Sequence, residues 1–139
     1  MIALVIDASA AASWLIETQA TASSDAFLEA RADDEFIAPA IFAWEIVNLI
    51  ASKSGRGSLD LDHGLEALGG LGIKVRPPLP GHEVVKLAPF AIEVGLSLFD
   101  AAYLALAIES GGAIVSRDKA LLDAAVAHGI QIFDLRDKI

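Results

Sequence analysis

The chain has no cysteine. That excludes disulfides and thiolate metal sites, and nothing points to an oxidising compartment. Aromatic residues make up only 6% of the 139 residues, whereas apolar residues reach 55%, much of it alanine. This balance suits packed helices around a small sheet better than a β-sandwich. No apolar run reaches the length of a membrane span before a charge interrupts it. The opening MIALVIDASAAASWLIE is hydrophobic, but it lacks a basic leader and carries Asp7 in its middle, so it does not read as a signal peptide. Basic residues are scarce too: 10 Lys and Arg stand against 19 Asp and Glu, for a net charge of −9. That argues against bulk attraction to nucleic acid. It does not exclude an enzyme whose acids hold a metal that in turn meets phosphate. The histidines, His63, His82 and His128, share no motif, so a ribonuclease built on paired imidazoles is not supported. With no internal repeat, low-complexity tail or linker, one domain over residues 1–139 in a cytoplasm is the expectation.

What is present alternates. Residues 2–6 (IALVI) form a continuous apolar run, the pattern of a strand buried on both faces. Helices are predicted over about 8–16 and 20–31, then a short strand at 36–38, with Pro39 placed as the first residue of a helix running to about 53. That helix stops at Gly55, and another spans about 59–70 before a strand at 73–75. PPLP at 77–80 is a turn. Residues 82–94 read as helical, although Pro89 must kink or divide that helix. A helix from near 98, a strand at 113–115, a helix over 119–127 ended by Gly129, and a strand at 130–133 complete the chain. Strands separated by helices predict an α/β fold, a three-layer α/β/α sandwich with a central parallel sheet. Ligands of such sheets sit beyond the carboxyl ends of the strands.

Four acids stand out against that frame. Asp7 follows the first strand in VIDAS, and Asp118 follows the strand at 113–115 in IVSRDKALL. Each also has a local explanation as a helix N-cap. Asp100 is the only charge between Glu93 and Glu109. Ser97-x-x-Asp100 reads as a capping box with aspartate in place of the usual glutamate, and an acid in the first turn suits the helix dipole. Glu45 lies in PAIFAWEIVNLIAS, a helix apolar nearly all round and so expected to be buried. Glu45 and Asn48 are three apart and share a face. A buried carboxylate without a cation within one turn either shifts its pKa or costs several kcal/mol. Four such carboxylates gathered together call for a hard, oxygen-loving ion such as Mg2+ or Mn2+.

VIDAS, APAIFAWEIVN, GLSLFDAAYLALA and AIVSRDKALLDAA resemble, in order and spacing, the four blocks of the PIN domain, and more closely the VapC toxins of type II toxin–antitoxin pairs. The resemblance covers essentially the whole chain. It maps the family's four acids onto Asp7, Glu45, Asp100 and Asp118, with Asp7, Asp100 and Asp118 as metal ligands. Ser9 and Asn48 fall behind the first and second acids, and Ser116 stands where many relatives have threonine. Pro89 belongs to no block of the pattern. The resemblance implies a PIN-like fold, a Mg2+-dependent endoribonuclease in which Mn2+ can substitute, a structured RNA substrate, a cognate VapB-like antitoxin and a homodimer.

Arg117 and Lys119 flank Asp118 and are candidates for holding RNA phosphates, as are Lys53 and Arg56; solvated surface positions are the plainer reading for all four. Trp14, Phe42 and Trp44 are candidates for an antitoxin groove, with core packing the alternative for each. Tyr103, one turn after Asp100, either orients a metal-bound water or simply packs. A haloacid-dehalogenase-like phosphatase needs an acid two residues after the nucleophile, where this chain has Ser9. A receiver domain needs an acid after a middle strand that IKVRPPLP does not supply. A non-toxin PIN nuclease and a catalytically silent binding module on the same scaffold remain as alternatives.

Overall fold

The structure is a computed structural model that describes residues 2–55 and 60–137. Strand β1 (Ala3–Ile6) leads into α1 (Ala8–Leu15), a 3₁₀ turn (Glu17–Gln19) and α2 (Ala22–Arg31). Next come β2 (Glu35–Ala38), α3 (Ile41–Gly55), α4 (Leu61–Gly70) and β3 (Lys74–Val75). The remainder is α5 (Gly81–Val94), α6 (Leu98–Ser110), β4 (Ala113–Ser116), α7 (Lys119–Ala127) and β5 (Ile132–Asp134). All strands pair in parallel, in the order β3-β2-β1-β4-β5. Among the helices, α1 packs on α2, α3 and α4, whereas α6 packs on α5 and α7. The result is the expected three-layer α/β/α sandwich.

The core follows from the strand composition. Leu4, Val5 and Ile6 of β1 and Ala113, Ile114 and Val115 of β4 are fully buried, as parallel strands covered on both faces must be. β1 pairs with β2 through Val5 and Ile37 and with β4 through Val5 and Ile114. The chain winds outward from β1 through β2 to β3, then crosses to β4 and β5 on the other side. The strand order therefore reverses between β1 and β4, and the crevice beyond their carboxyl ends is the natural ligand position.

Local chemistry explains most element boundaries, and two expectations are corrected, both concerning α3: where it begins and how far it is buried. Helix α3 starts at Ile41, not at Pro39; the Pro39 and Ala40 carbonyls accept from Phe42 and Ala43 in the turn that precedes it. Pro89 does not divide α5, which runs unbroken through it. The residue that loses its i+4 partner is Val85, 70% exposed, so solvent can take the orphaned carbonyl. Helix α3 is not buried all round: Phe42, Ile46 and Ile50 face the core, whereas Trp44 is 79% exposed with Val47 beside it on the outer face. Of the antitoxin-groove candidates, Phe42 lies in the core, and Trp14 stacks on Phe27 and Phe36 while its Nε1 donates to the Ser24 carbonyl at 2.8 Å. Only Trp44 is available to a partner. The 3₁₀ turn at Glu17–Gln19 was not predicted, and the helix after it begins at a Thr21–Ser24 capping box in which serine replaces Glu or Gln. The predicted start of α4 at residue 59, and Arg56, lie outside the described residues.

Gly112 makes the turn from α6 into β4 possible. A Cβ there would sit 2.5 Å from the Ala3 carbonyl oxygen of β1. Backbone cannot yield as a flexible side chain can, so Gly112→Ala is expected to destabilise the fold by about 1–3 kcal/mol. A lower urea midpoint at unchanged m-value is the reading that checks it.

Candidate metal-binding active site

Asp7 is the first residue beyond β1 and the N-cap of α1. Its Oδ1 accepts from the Ala10 amide and from the Ser9 hydroxyl, both at 2.8 Å, and its Oδ2 accepts from the Ser116 hydroxyl at 2.5 Å. A carboxylate offers about four lone-pair sites, so a position on Oδ2 remains for a further partner. Asp7 is only 5% exposed. Burial pushes its pKa up to about 6, against the opposing pull of Ser116, Ala10 and Ser9, and the Asp118 charge adds to the rise. The N-cap role and the burial coexist, because capping uses only one of the two oxygens.

Asp118 is the N-cap of α7, accepting from the Leu121 amide at 3.2 Å, while its own N–H donates to Ser116 Oγ at 2.9 Å. Ser116, the last residue of β4 and fully buried, thus accepts a hydrogen bond from the Asp118 N–H and donates one to Asp7. Ser9 mirrors it, accepting the Arg117 amide at 2.9 Å and donating to Asp7. The two hydroxyls are 3.3 Å apart. Each has a single proton, directed at Asp7. Two neighbouring serines therefore hold one carboxylate, one at each oxygen.

Asp100 sits in the first turn of α6, and its N–H donates to the Ser97 N-cap at 3.1 Å. It is half-buried. Burial raises its pKa first and the Asp118 charge second, against a hydrogen bond with Ser97. Glu45, half-buried on α3, accepts at Oε1 from the Tyr103 hydroxyl at 2.6 Å. Burial again raises its pKa, Tyr103 lowers it and the Asp100 charge raises it. The four acids thus interact as a chain: Asp7 with Asp118, Asp118 with Asp100, Asp100 with Glu45. The ion pairs among the described residues, Arg31–Asp34, His82–Glu83, Lys86–Glu83, Lys119–Asp123 and Arg136–Asp134, leave these four out.

Other candidates fall differently. Asn48 is exposed on the same helix as Glu45, and among the described residues no hydrogen bond ties it to the acids. Lys119 is exposed and engaged with Asp123 at 2.6 Å. Arg117 is half-buried, and its Nε is buried with no hydrogen-bond partner among the described residues. His63, His82 and His128 are exposed on separate parts of the chain. The contact that sequence reasoning missed is Tyr103 with Glu45; helical spacing places Tyr103 on the face of Asp100, but nothing local ties it to a residue of α3.

The donor set is all oxygen, which suits a hard divalent cation. Among the described residues, no group of three or more acids or histidines is drawn together tightly enough to cage an ion unaided. Mg2+ does not ask for such a cage: it keeps several waters and takes one or two carboxylates. Burial is the main cause of the raised pKa values of Asp7, Glu45 and Asp100, with a neighbouring carboxylate adding to each, and a hydrated cation would offset both. The residues fit the ion in this hydrated form.

A parallel sheet between helical layers, with acids beyond β1 and β4 where its order reverses, defines an α/β/α domain with an acidic crevice at its switch point. The chain belongs to the PIN-domain family, whose model matches residues 4–127, a span that contains all four acids. Solved structures share the fold. The crystal structure of PAE2754 from Pyrobaculum aerophilum is 23% identical, with 95% of this chain and 84% of that one covered at a TM-score of 0.66. A PilT N-terminus domain protein, SSO1118, from Sulfolobus solfataricus P2 is 20% identical, covering 96% and 87% at 0.54. A domain of a functionally unknown protein from Methanocaldococcus jannaschii is 18% identical, covering 100% and 94% at 0.56. No curated protein matches the chain. Among the described residues, no single helix is long and apolar enough to cross a membrane.

Proposed function

We propose that this PIN domain is a Mg2+-dependent endoribonuclease and the toxin of a type II pair of the VapC kind, acting in the cytoplasm. The observation that carries the proposal is the chain of interacting acids, Asp7–Asp118–Asp100–Glu45, at the sheet's switch point in a chain of a nuclease family. A bound Mg2+ supplies Lewis acidity, lowering the pKa of water and offsetting phosphate charge. Asp7, Asp100 and Asp118 would hold the ion. Ser9 and Ser116 keep Asp7 in place by donating to both its oxygens. Glu45 completes the acidic wall and positions the attacking water. With a net charge of −9, RNA is held locally. The unpartnered Arg117 Nε supports a phosphate contact, and Lys119 can leave its exposed pair with Asp123 at little cost.

Partners are read from exposed apolar surface. Trp44 and Val47 on the outer face of α3 suit a VapB-like antitoxin. A groove of about 250 Å³ lined by Ile41, Leu79, Val84, Leu87 and Phe99 suits a second copy in a homodimer. Single-turnover cleavage of total RNA tests the activity. Cutting is expected with Mg2+ or Mn2+ and none with a chelator, and Asp100→Asn is expected to lose at least about 100-fold. Cutting that survives chelation and the substitution defeats the proposal. The lack, among the described residues, of a ready three-acid cage favours a silent binding module as the second reading. Calorimetry separates the two, because only a working site shows Mn2+ binding that Asp100→Asn abolishes. A non-toxin nuclease differs in cells: its expression would not arrest growth that a neighbouring antitoxin gene relieves.

A further inference from the structure

Glu45 and Tyr103 are 58 residues apart and meet in one hydrogen bond, from the phenol to Oε1 at 2.6 Å. Their helices belong to different groups: α3 packs on α1 and α4, and α6 on α5, α7, β1 and β4. Tyr103 is 1% exposed and among the largest fully buried side chains. A buried phenol is held in place by its packing, whereas a half-buried glutamate on a helix edge has several rotamers. The fixed partner therefore sets the position of the mobile one.

We propose that Tyr103 is a positioning residue of the acidic crevice, holding Glu45 by Oε1 so that Oε2 is the oxygen left for a cation or its water. The proposal rests on the reading of the four acids as a metal site. The chemistry of the pair suits a permanent clamp. Burial, the bond to Glu45 and the charges of Glu45, Asp7 and Asp100 all push the Tyr103 pKa upward, so the phenol keeps its proton and donates throughout. A lysine or arginine here would pair more strongly, but it would cancel the negative charge that attracts a cation. A neutral donor orients Glu45 and leaves that charge in place.

Tyr103→Phe keeps the ring and removes only the donor. Its far-UV circular dichroism should match wild type, while its Mn2+ affinity by calorimetry falls about 10-fold, with kcat for RNA lowered and KM little changed. The same substitution in a Glu45→Ala background should change Mn2+ affinity no further, since nothing remains to be oriented. A purely structural role would weaken binding equally in both backgrounds. Wild-type Mn2+ affinity in Tyr103→Phe, or equal losses with and without Glu45, overturns the clamp. If Asp100→Asn abolishes binding in the same experiment, the metal-site reading survives that failure. If wild type itself binds no Mn2+, both fall together.

Discussion

Asp7→Asn is expected to abolish RNA cleavage and, at pH 8 without divalent ions, to make the protein more stable. The two effects have one cause. Asp7 is buried with its pKa at about 6 against an ordinary 3.8, so the folded state binds its proton more tightly than the unfolded chain does. Stability from this group is therefore full below about pH 4, declines as pH rises towards 6, and stays low above it. A shift of roughly two units corresponds to about 3 kcal/mol. Asparagine is neutral at every pH. Its Oδ1 can still accept from Ala10 and Ser9, and its Nδ2 can donate to Ser116 once that hydroxyl turns round. Part of the 3 kcal/mol is lost to that rearrangement, leaving a gain of about 1–2 kcal/mol at pH 8. Urea unfolding in chelator at pH 8 and pH 4 measures it. A variant less stable than wild type by the same amount at both values would refute the argument. Adding Mg2+ should reverse the order at pH 8, since an ion bound only to the folded wild type stabilises that protein alone.

Phe27→Ala is expected to be the most damaging single truncation away from the crevice. Phe27 is stacked on Trp14 at 6.0 Å and on Phe36 at 6.4 Å, and tilted against Phe133 at 5.2 Å. Those rings belong to α1, β2 and β5, so one α2 side chain joins elements from both ends of the chain. Arg31 covers Phe133 at 4.8 Å and closes the cluster from outside. The three neighbouring rings are rigid and fixed to separate elements, so they refill the space only in part. The cost is about 3–5 kcal/mol, or a Tm lowered by roughly 10–15 °C for a chain of this size. Thermal unfolding measures this, and a loss under about 3 °C would mean the cluster collapses into the gap. Emission should also redden as Trp14 becomes wetter, while the exposed Trp44 contributes a constant background.

What was legible in the sequence was whatever is written locally. IALVI announces a strand with two covered faces, and β1 is that strand. Asp7 and Asp118 each follow a strand and open a helix, and both are N-caps in the crevice. Asp100 follows Ser97 by three residues, and the cap is there. Non-local facts were not legible. Helix α3 is apolar on its inner and outer faces alike, so no periodicity says that Trp44 points outward while Phe42 points in. Tyr103 and Glu45 meet because two helix groups converge, and a helical face does not record what it faces. Pro89 looked like a breaker because its penalty is fixed by covalent geometry, yet how much of that is felt depends on exposure, which only the fold decides.

The serine bridge between the two strand ends has a consequence for how the molecule comes into being. Ser116 reaches Asp7 across 109 residues of chain. On a ribosome adding about 5–20 residues per second, Asp7 emerges many seconds before the strand that completes its surroundings. Until β4 docks beside β1, Asp7 lacks Ser116 on Oδ2 and Asp118 nearby. A chain released early carries the first acid without the last. The crevice is therefore assembled by the final third of synthesis, and a product that stops before Ser116 lacks the wall that β4 supplies.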